Sequence, residues 1–437
     1  MSIEKILEKA KKGSTSAEVF STRRRTLSVS FENNQIKDSS TSDLSGTSVR
    51  VIKNGKIGIS SSSEPGDESI AEFALDSAEY GKKVKFDFPG GACIEPFKYD
   101  TKNFDALTED IAVSDCENAM NELKSVQDGV LAQSAIMKES GYTRILTSHG
   151  LDFTQEFRKV IWICGLTFNT EGNFLNVYDF RTKEQYDGFN SLTKFVKEEF
   201  EICRNNETIN SGKYRVLLPP RSFMYLMSVF MSCLSGYAVA KGISPWIGKL
   251  GEILFDEKIS IISDMVSDNS SYRRPLDDEG TPTGKRVLID KGVLQSFYHS
   301  LDTASQCGQE PTGHAFRGSF ASIPSPSLNG MVVKPGKSSA DEMKKDAEIW
   351  VEDLMGAIMS NPYSGVISGN ISMGFIMENG KRRARIKDAV LTINIFDLFK
   401  NAVLAVSKES DRTGYGIFFP TYDAPWILID GVSVSAK

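Results

Sequence analysis

The side chains best able to do chemistry in this chain gather between positions 264 and 279, where Asp264, Asp268, Asp277, Asp278 and Glu279 share one short stretch. Carboxylates brought together can hold Mg2+ or Ca2+, or can share a proton so that one titrates well above the usual range. One reading is therefore a self-contained hydrolase that uses a divalent ion. The other is a plain acidic turn, with an aspartate capping locally and Gly280 left-handed. EF-hand spacing is absent. The remaining candidates are dispersed. His149, His299 and His314 are the only histidines, and none lies within a helical turn of another. His149 falls in a predicted turn with no partner for general acid–base work. There is no G-x-S-x-G elbow, no S-x-x-K beside a usable base, no phosphate loop and no G-x-G-x-x-G after a strand. Cys93, Cys116, Cys164, Cys203, Cys233 and Cys307 are far apart and form no C-x-x-C pair, which argues against a zinc finger.

Elements between Lys213 and Arg286 must position these groups. A short apolar strand, Tyr214–Leu218, is closed by Pro219-Pro220. The uncharged run Phe223–Ala240 follows, reading FMYLMSVFMSCLSGYAVA. A membrane helix needs about 20 predominantly apolar residues, but this run contains Ser228, Ser232, Ser235 and Gly236, and no second span follows it. The pattern predicts a buried core helix over 221–240, with Met224, Met227 and Met231 packing the core. A turn region, KGISPWIGKLGE, leads to a strand over Lys258–Met265 and then to PLDDEGTPTGKR, Pro275–Arg286. Strand, buried helix and acidic turn together make a plausible cleft.

With 437 residues the chain is too long for one typical core. The expected units are residues 1–210 and 211–437, the first including a strand-rich segment over 125–210. The net charge of −6 is mild. The only basic knots are RRR at 23–25 and KRRAR at 381–385, both on predicted strands whose side chains alternate in direction. No basic, aromatic-interleaved face points to nucleic acid. The opening MSIEKILEKAKK is a charged amphipathic helix without the apolar core of a signal peptide, so a cytoplasmic protein with reduced thiols is expected. Leu27, Val29 and Phe31 alternate onto one face of a strand, and Asn54-Gly55 marks a tight hairpin turn. Further hairpins are expected through Asp290–Gly292 and at Asn379-Gly380. Helices are predicted from Asp67 to Gly81 with Ile70, Phe73, Ala74, Ser77 and Ala78 inward, and over Asp105–Lys124, Leu192–Asn206 and Ser339–Met355. The fold class is α+β: a strand-rich N-terminal domain with flanking helices, then a C-terminal domain of curved, mostly antiparallel sheet around the 221–240 helix.

Several pieces occur in an order that resembles the TldD/PmbA family, on its PmbA (TldE) side. They are GTSVRVIKNGKIGISSSS, LSGYAVAKGIS with IGKLGE, LDDEGTPT, GVLQSFYHSLDTAS and TGHAFR. In the TldD branch the helix of this region carries HExxxH, two zinc-binding histidines and a general-base glutamate, and a late cysteine completes the site. Here Leu234–Gly242 reads LSGYAVAKG, with no histidine and no carboxylate, and the last cysteine is Cys307. The resemblance implies a partner of a TldD-like zinc metallopeptidase, the pair cutting unfolded or small peptides. This chain would supply cavity wall and peptide-binding backbone, with no catalytic residue and no metal of its own. The groove is expected over Leu276–Thr283 and Gly313–Ser319, with Asp277, Asp278, Glu279, Gly280, Gly313 and His314 contacting substrate and Arg317 anchoring a carboxylate. A homodimeric peptide-binding protein that cuts nothing is the remaining alternative.

Overall fold

The computed structural model describes residues 3–91, 94–99, 101–170, 173–267, 273–413 and 422–436. Its architecture is α+β, with strands dominating both halves.

The N-terminal sheet has six strands, each antiparallel to its neighbours: β1 (Ser16–Glu32), β2 (Gln35–Lys53), β3 (Lys56–Ser62), β4 (Leu131–Thr147), β5 (Asp152–Thr170) and β6 (Asn173–Lys183). Their order is β3-β2-β1-β4-β5-β6. Asn54 and Gly55 both take positive φ, as a type I′ hairpin requires. Asn33 and Asn34 do the same between β1 and β2. Val29 and Phe31 are buried as the alternation predicts. Two groups of helices cover this sheet. Helices α1 (Ile3–Lys12) and α2 (Ser69–Ser77) pack on one part, with Ile6, Ala10, Ile70 and Ala74 inward. Phe73, expected inward, is 59% exposed; Ala71 takes its place beside Ile70 and Ala74. Asp67 lies just outside α2 and accepts a hydrogen bond from the Ser69 N–H at 3.0 Å. The helix expected over 105–124 is two, α3 (Lys102–Ala106) and α4 (Glu109–Lys124), because Thr108 is extended and its hydroxyl accepts from the Ile111 N–H. The last N-terminal helix is α5 (Asn190–Cys203).

The C-terminal sheet curves until it closes. The strand Tyr422–Ala436 pairs with Gly212–Leu218, which pairs with Ile349–Met355, then Val366–Glu378, then Ala389–Asn394, which returns to Tyr422–Ala436. Most pairings are antiparallel, with parallel exceptions such as Gly212–Leu218 beside Ile349–Met355. Core residues Val216, Ile367, Leu391, Ile427 and Ile429 meet the helix α6 (Phe223–Cys233). The single helix expected over 221–240 is broken. Leu234 ends α6, Ser235 turns extended, and a short α7 (Gly236–Ala240) starts with the Ser235 hydroxyl accepting from the Tyr237 N–H. The segment Ser339–Met355, expected to be one helix, is helical only over Ala340–Asp346; Ile349–Met355 is a strand that pairs with Gly212–Leu218 and Val366–Glu378. The expected strand Lys258–Met265 shortens to Ile261–Asp264. Met227 is buried and Met231 packs against the same core. No helix among the described residues is long and apolar enough to cross a membrane.

The two halves share a core. Trp162, Leu192, Val196 and Phe200 belong to the same apolar cluster as Leu217, Trp350, Phe375 and Leu428, so α5 is packed between the sheets.

Candidate functional site

The acidic turn folds as a turn, but it is not at the surface. Asp277, Asp278 and Glu279 are all buried, and Gly280 has φ +81°. Asp277 accepts hydrogen bonds from the backbone N–H groups of Glu279, Thr281 and Ala315 at 2.9–3.0 Å. Burial pushes its carboxyl well above the usual range and Glu279 adds to this, while the three N–H donors pull the other way. Asp278 takes the Arg317 N–H at 2.8 Å and pairs with Arg274 at 2.8 Å.

Glu279 reaches the N-terminal sheet. Its Oε1 accepts from Arg50 Nη1 at 2.8 Å, and its Oε2 from the Leu301 N–H at 2.8 Å, the first residue of α8 (Leu301–Cys307). Arg50, on β2, also grips Glu18 of β1, and Glu18 is gripped in turn by Arg317. The result is an alternating buried chain, Glu279–Arg50–Glu18–Arg317, with the Phe88 ring under Arg50 at 5.0 Å and the Phe20 ring under Arg317 at 4.5 Å. Burial raises both glutamates, but Glu18 has two arginines beside it and ends below its ordinary pKa. Glu279, with one, ends above. These residues do not line an open groove. Arg317, expected to anchor a carboxylate of substrate, spends its guanidinium on Glu18, Ser48 Oγ and the Ser322 carbonyl. The alternative reading of a carboxylate metal site finds no support in this geometry. Asp277 and Glu279 point their oxygens at amides and Arg50, and Asp264 accepts from the Val266 and Ser267 N–H groups. Asp268 lies outside the described residues. Among the described residues, no three His, Cys, Asp or Glu side chains converge as a metal would need.

Gly313 and His314 sit behind the turn. Gly313 has φ +69°, and a Cβ there would stand 2.3 Å from the Pro282 carbonyl oxygen, so only glycine permits this approach. His314 is fully buried; its Nδ1 meets the Thr312 carbonyl at 2.7 Å and its Nε2 meets Ser263 Oγ at 3.0 Å. Burial lowers its pKa to about 4, so the ring is neutral at pH 7. His149 is in the β4–β5 turn, 3.7 Å from Asp87.

The helix that would have to carry metal ligands is α7, GYAVA. It packs against α8 and the strand Ser325–Pro326. The space beside its first residue is filled by His299: a Cβ on Gly236 would lie 2.2 Å from His299 Nδ1. Thr312 ties the two buried histidines together, its hydroxyl accepting from the His299 N–H at 2.7 Å and meeting His314 Nδ1 at 3.0 Å. Sequence reasoning kept His299 and His314 apart because they are fifteen positions distant; no local pattern announces the Thr312 bridge. It also overlooked Arg286, which the strand Lys285–Asp290 brings to the same place.

Comparison with known proteins is consistent across sequence and structure. Residues 211–436 match the family model described as the PmbA/TldA metallopeptidase C-terminal domain, and residues 17–79 match PmbA/TldA metallopeptidase domain 1. An uncharacterized protein of Methanocaldococcus jannaschii is 28% identical over 92% of this chain and 94% of its own length. A metalloprotease PmbA homolog of Haemophilus influenzae is 23% identical over 93% of this chain and 90% of its own. The fold is that of TldE from Thermococcus kodakarensis, with a TM-score of 0.90, 22% identity, and coverage of 99% of this chain and 100% of that one.

Proposed function

This chain belongs to the PmbA/TldD metallopeptidase family, and from that premise we propose that it is a peptide-binding subunit that works beside a zinc-bearing relative and holds no catalytic zinc itself. The observation that carries this reading is α7: GYAVA offers neither imidazole nor carboxylate, and His299 occupies the space against its first residue. The residues present do not fit a zinc ion, which takes three protein ligands in a catalytic site. Hydrolysis needs a polarised carbonyl and an activated water, and the buried carboxylates of 277–279 are committed elsewhere.

A free sheet edge supports the peptide-binding half of the proposal. β3 covers β2 only from Thr47 to Lys53, so the exposed stretch Gln35–Leu44 has no strand on that side among the described residues. Such an edge can take an extended peptide through main-chain hydrogen bonds, giving affinity with little sequence preference. Relatives named metalloprotease TldD homolog, from Buchnera aphidicola and Haemophilus influenzae, support a TldD-like family member as the fitting partner.

The test is metal analysis of the purified chain followed by a peptide-cleavage assay with and without a TldD-like HExxxH partner. We expect far less than one zinc per chain, no turnover alone, and chelator-sensitive cleavage of unfolded peptides by the pair. About one tightly held zinc per chain, or turnover by the isolated protein that survives chelation, would overturn the division of labour.

A further inference from the structure

Arg286 stands out among the arginines at the heart of this molecule. Arg50 and Arg317 are each paired with a glutamate, and Arg221 donates to the Tyr178 carbonyl at 2.8 Å. Arg286 is half-buried, and yet its guanidinium has no hydrogen bond, ion pair or ring contact with any described residue. Burial alone displaces its pKa, downward, with no carboxylate opposing the shift.

Its position is well defined. Arg286 lies opposite Ser263 in an antiparallel pair, so the two side chains leave the same face of the sheet. On that face Ser263 Oγ meets His314, and the positive charge of Arg286 reaches both His314 and His299. His299 is 3% exposed, and its Nδ1 has no hydrogen-bond partner. Desolvation first, then Arg286, holds both imidazoles down at about 4, so at pH 7 they are neutral and add no charge of their own. The locus beside α7 thus holds one guanidinium without an anion and one buried ring nitrogen without a partner. A half-buried cation is costly to leave uncompensated. The planar fork of an arginine matches a carboxylate with two parallel hydrogen bonds.

We propose that Arg286, beside His299 and α7, is the anchor for a carboxylate of the bound peptide, and specifically its C-terminal α-carboxylate. This rests on the peptide-binding reading above, and it moves the anchoring role from Arg317, whose guanidinium is occupied, to an arginine that is free. An acidic side chain shares the same chemistry and is separated by the test.

The experiment measures binding to the full chain of three versions of one unstructured peptide: free C-terminal acid, C-terminal amide, and amide with an internal glutamate. The free acid should bind roughly 10–100-fold tighter than the amide, the range expected for a charge-assisted bidentate contact. Arg286→Gln should abolish that preference, and Arg286→Lys should restore part of it. Because Arg286 holds nothing in the fold, both variants should keep the wild-type melting temperature. Equal binding of acid and amide by the wild type, or a preference that survives Arg286→Gln, would overturn the anchor while leaving peptide binding intact. Restoration by the internal glutamate alone would overturn its assignment to the C-terminus. Binding of none of the three peptides would overturn both readings.

Discussion

Arg50 sits fully buried between Glu18 and Glu279, and its loss would strand two buried carboxylates. Removing one partner of a buried ion pair costs far more than the pair adds, because the remaining charge is left desolvated. Arg50→Ala should therefore destabilise the fold by about 3–5 kcal/mol, read as a shift in the denaturant midpoint; a change within the scatter of surface substitutions would sink the idea that this chain of charges holds the two halves together. His314 makes a second case at the same scale. Its folded pKa, about 4, lies below the ordinary value of 6.5, so its contribution to stability is full above pH 6.5 and is lost as pH falls toward 4. Glu352 runs the other way, since burial raises it to about 7 and acid then favours the folded form. The difference between wild type and His314→Gln isolates the histidine. The wild-type advantage should shrink by roughly 2 kcal/mol between pH 7 and pH 5, and a constant gap in urea unfolding at the two pH values would show that His314 titrates normally.

Among the elements, α6 carries the C-terminal core. The Phe230 ring lies 5.3 Å from Phe255, 6.0 Å from Phe399 and 6.2 Å from both Phe223 and Trp246. Phe230→Ala should cost about 3–5 kcal/mol, and an unchanged melting temperature would mean that the helix is peripheral. That helix was legible in the sequence because an uncharged run of this length, punctuated by small polar residues, reads as a buried helix. The Asn54-Gly55 and Asn379-Gly380 turns were legible too, since positive φ at both centres leaves little choice of residue. The break after Leu234 was not. It depends on Ser235 and Gly236 pairing with Tyr298, far along the chain, through a backbone bridge and the Gly236 N–H to the Tyr298 carbonyl at 2.8 Å. The acidic turn shows the same limit more sharply. Asp277-Asp278-Glu279-Gly280 reads as a solvated turn, and only Arg50, 229 positions before Glu279, makes it a buried one. Local pattern sets the type of element; partners far along the chain decide which side chains water can reach.

At the scale of the whole molecule, two of the joints between the halves bear on how the protein unfolds. One joint is apolar: Trp162, Val196 and Phe200 share a cluster with Leu217, Trp350, Phe375 and Leu428 across the sheets. The other is the buried charge chain from Glu279 and Arg317 to Arg50 and Glu18. The free edge of β6 is tied down as well, since Arg221 and Arg385 donate to the Tyr178 and Phe174 carbonyls. If either half opened alone, it would expose α5 and strand Arg50 or Glu279 without compensation, so partial unfolding should be nearly as costly as global unfolding. The four tryptophans permit a direct check. Trp162 reports the N-terminal sheet, Trp246 the core around α6, and Trp350 and Trp426 pack edge to face at 4.7 Å near the shared cluster. Variants that retain only Trp162 or only Trp246, the other three being Phe, should report coincident urea midpoints, as expected of one cooperative unit. Midpoints that separate, with Trp246 surviving after Trp162 has melted, would show that the C-terminal half stands on its own and that the junction contributes far less than its buried charges imply.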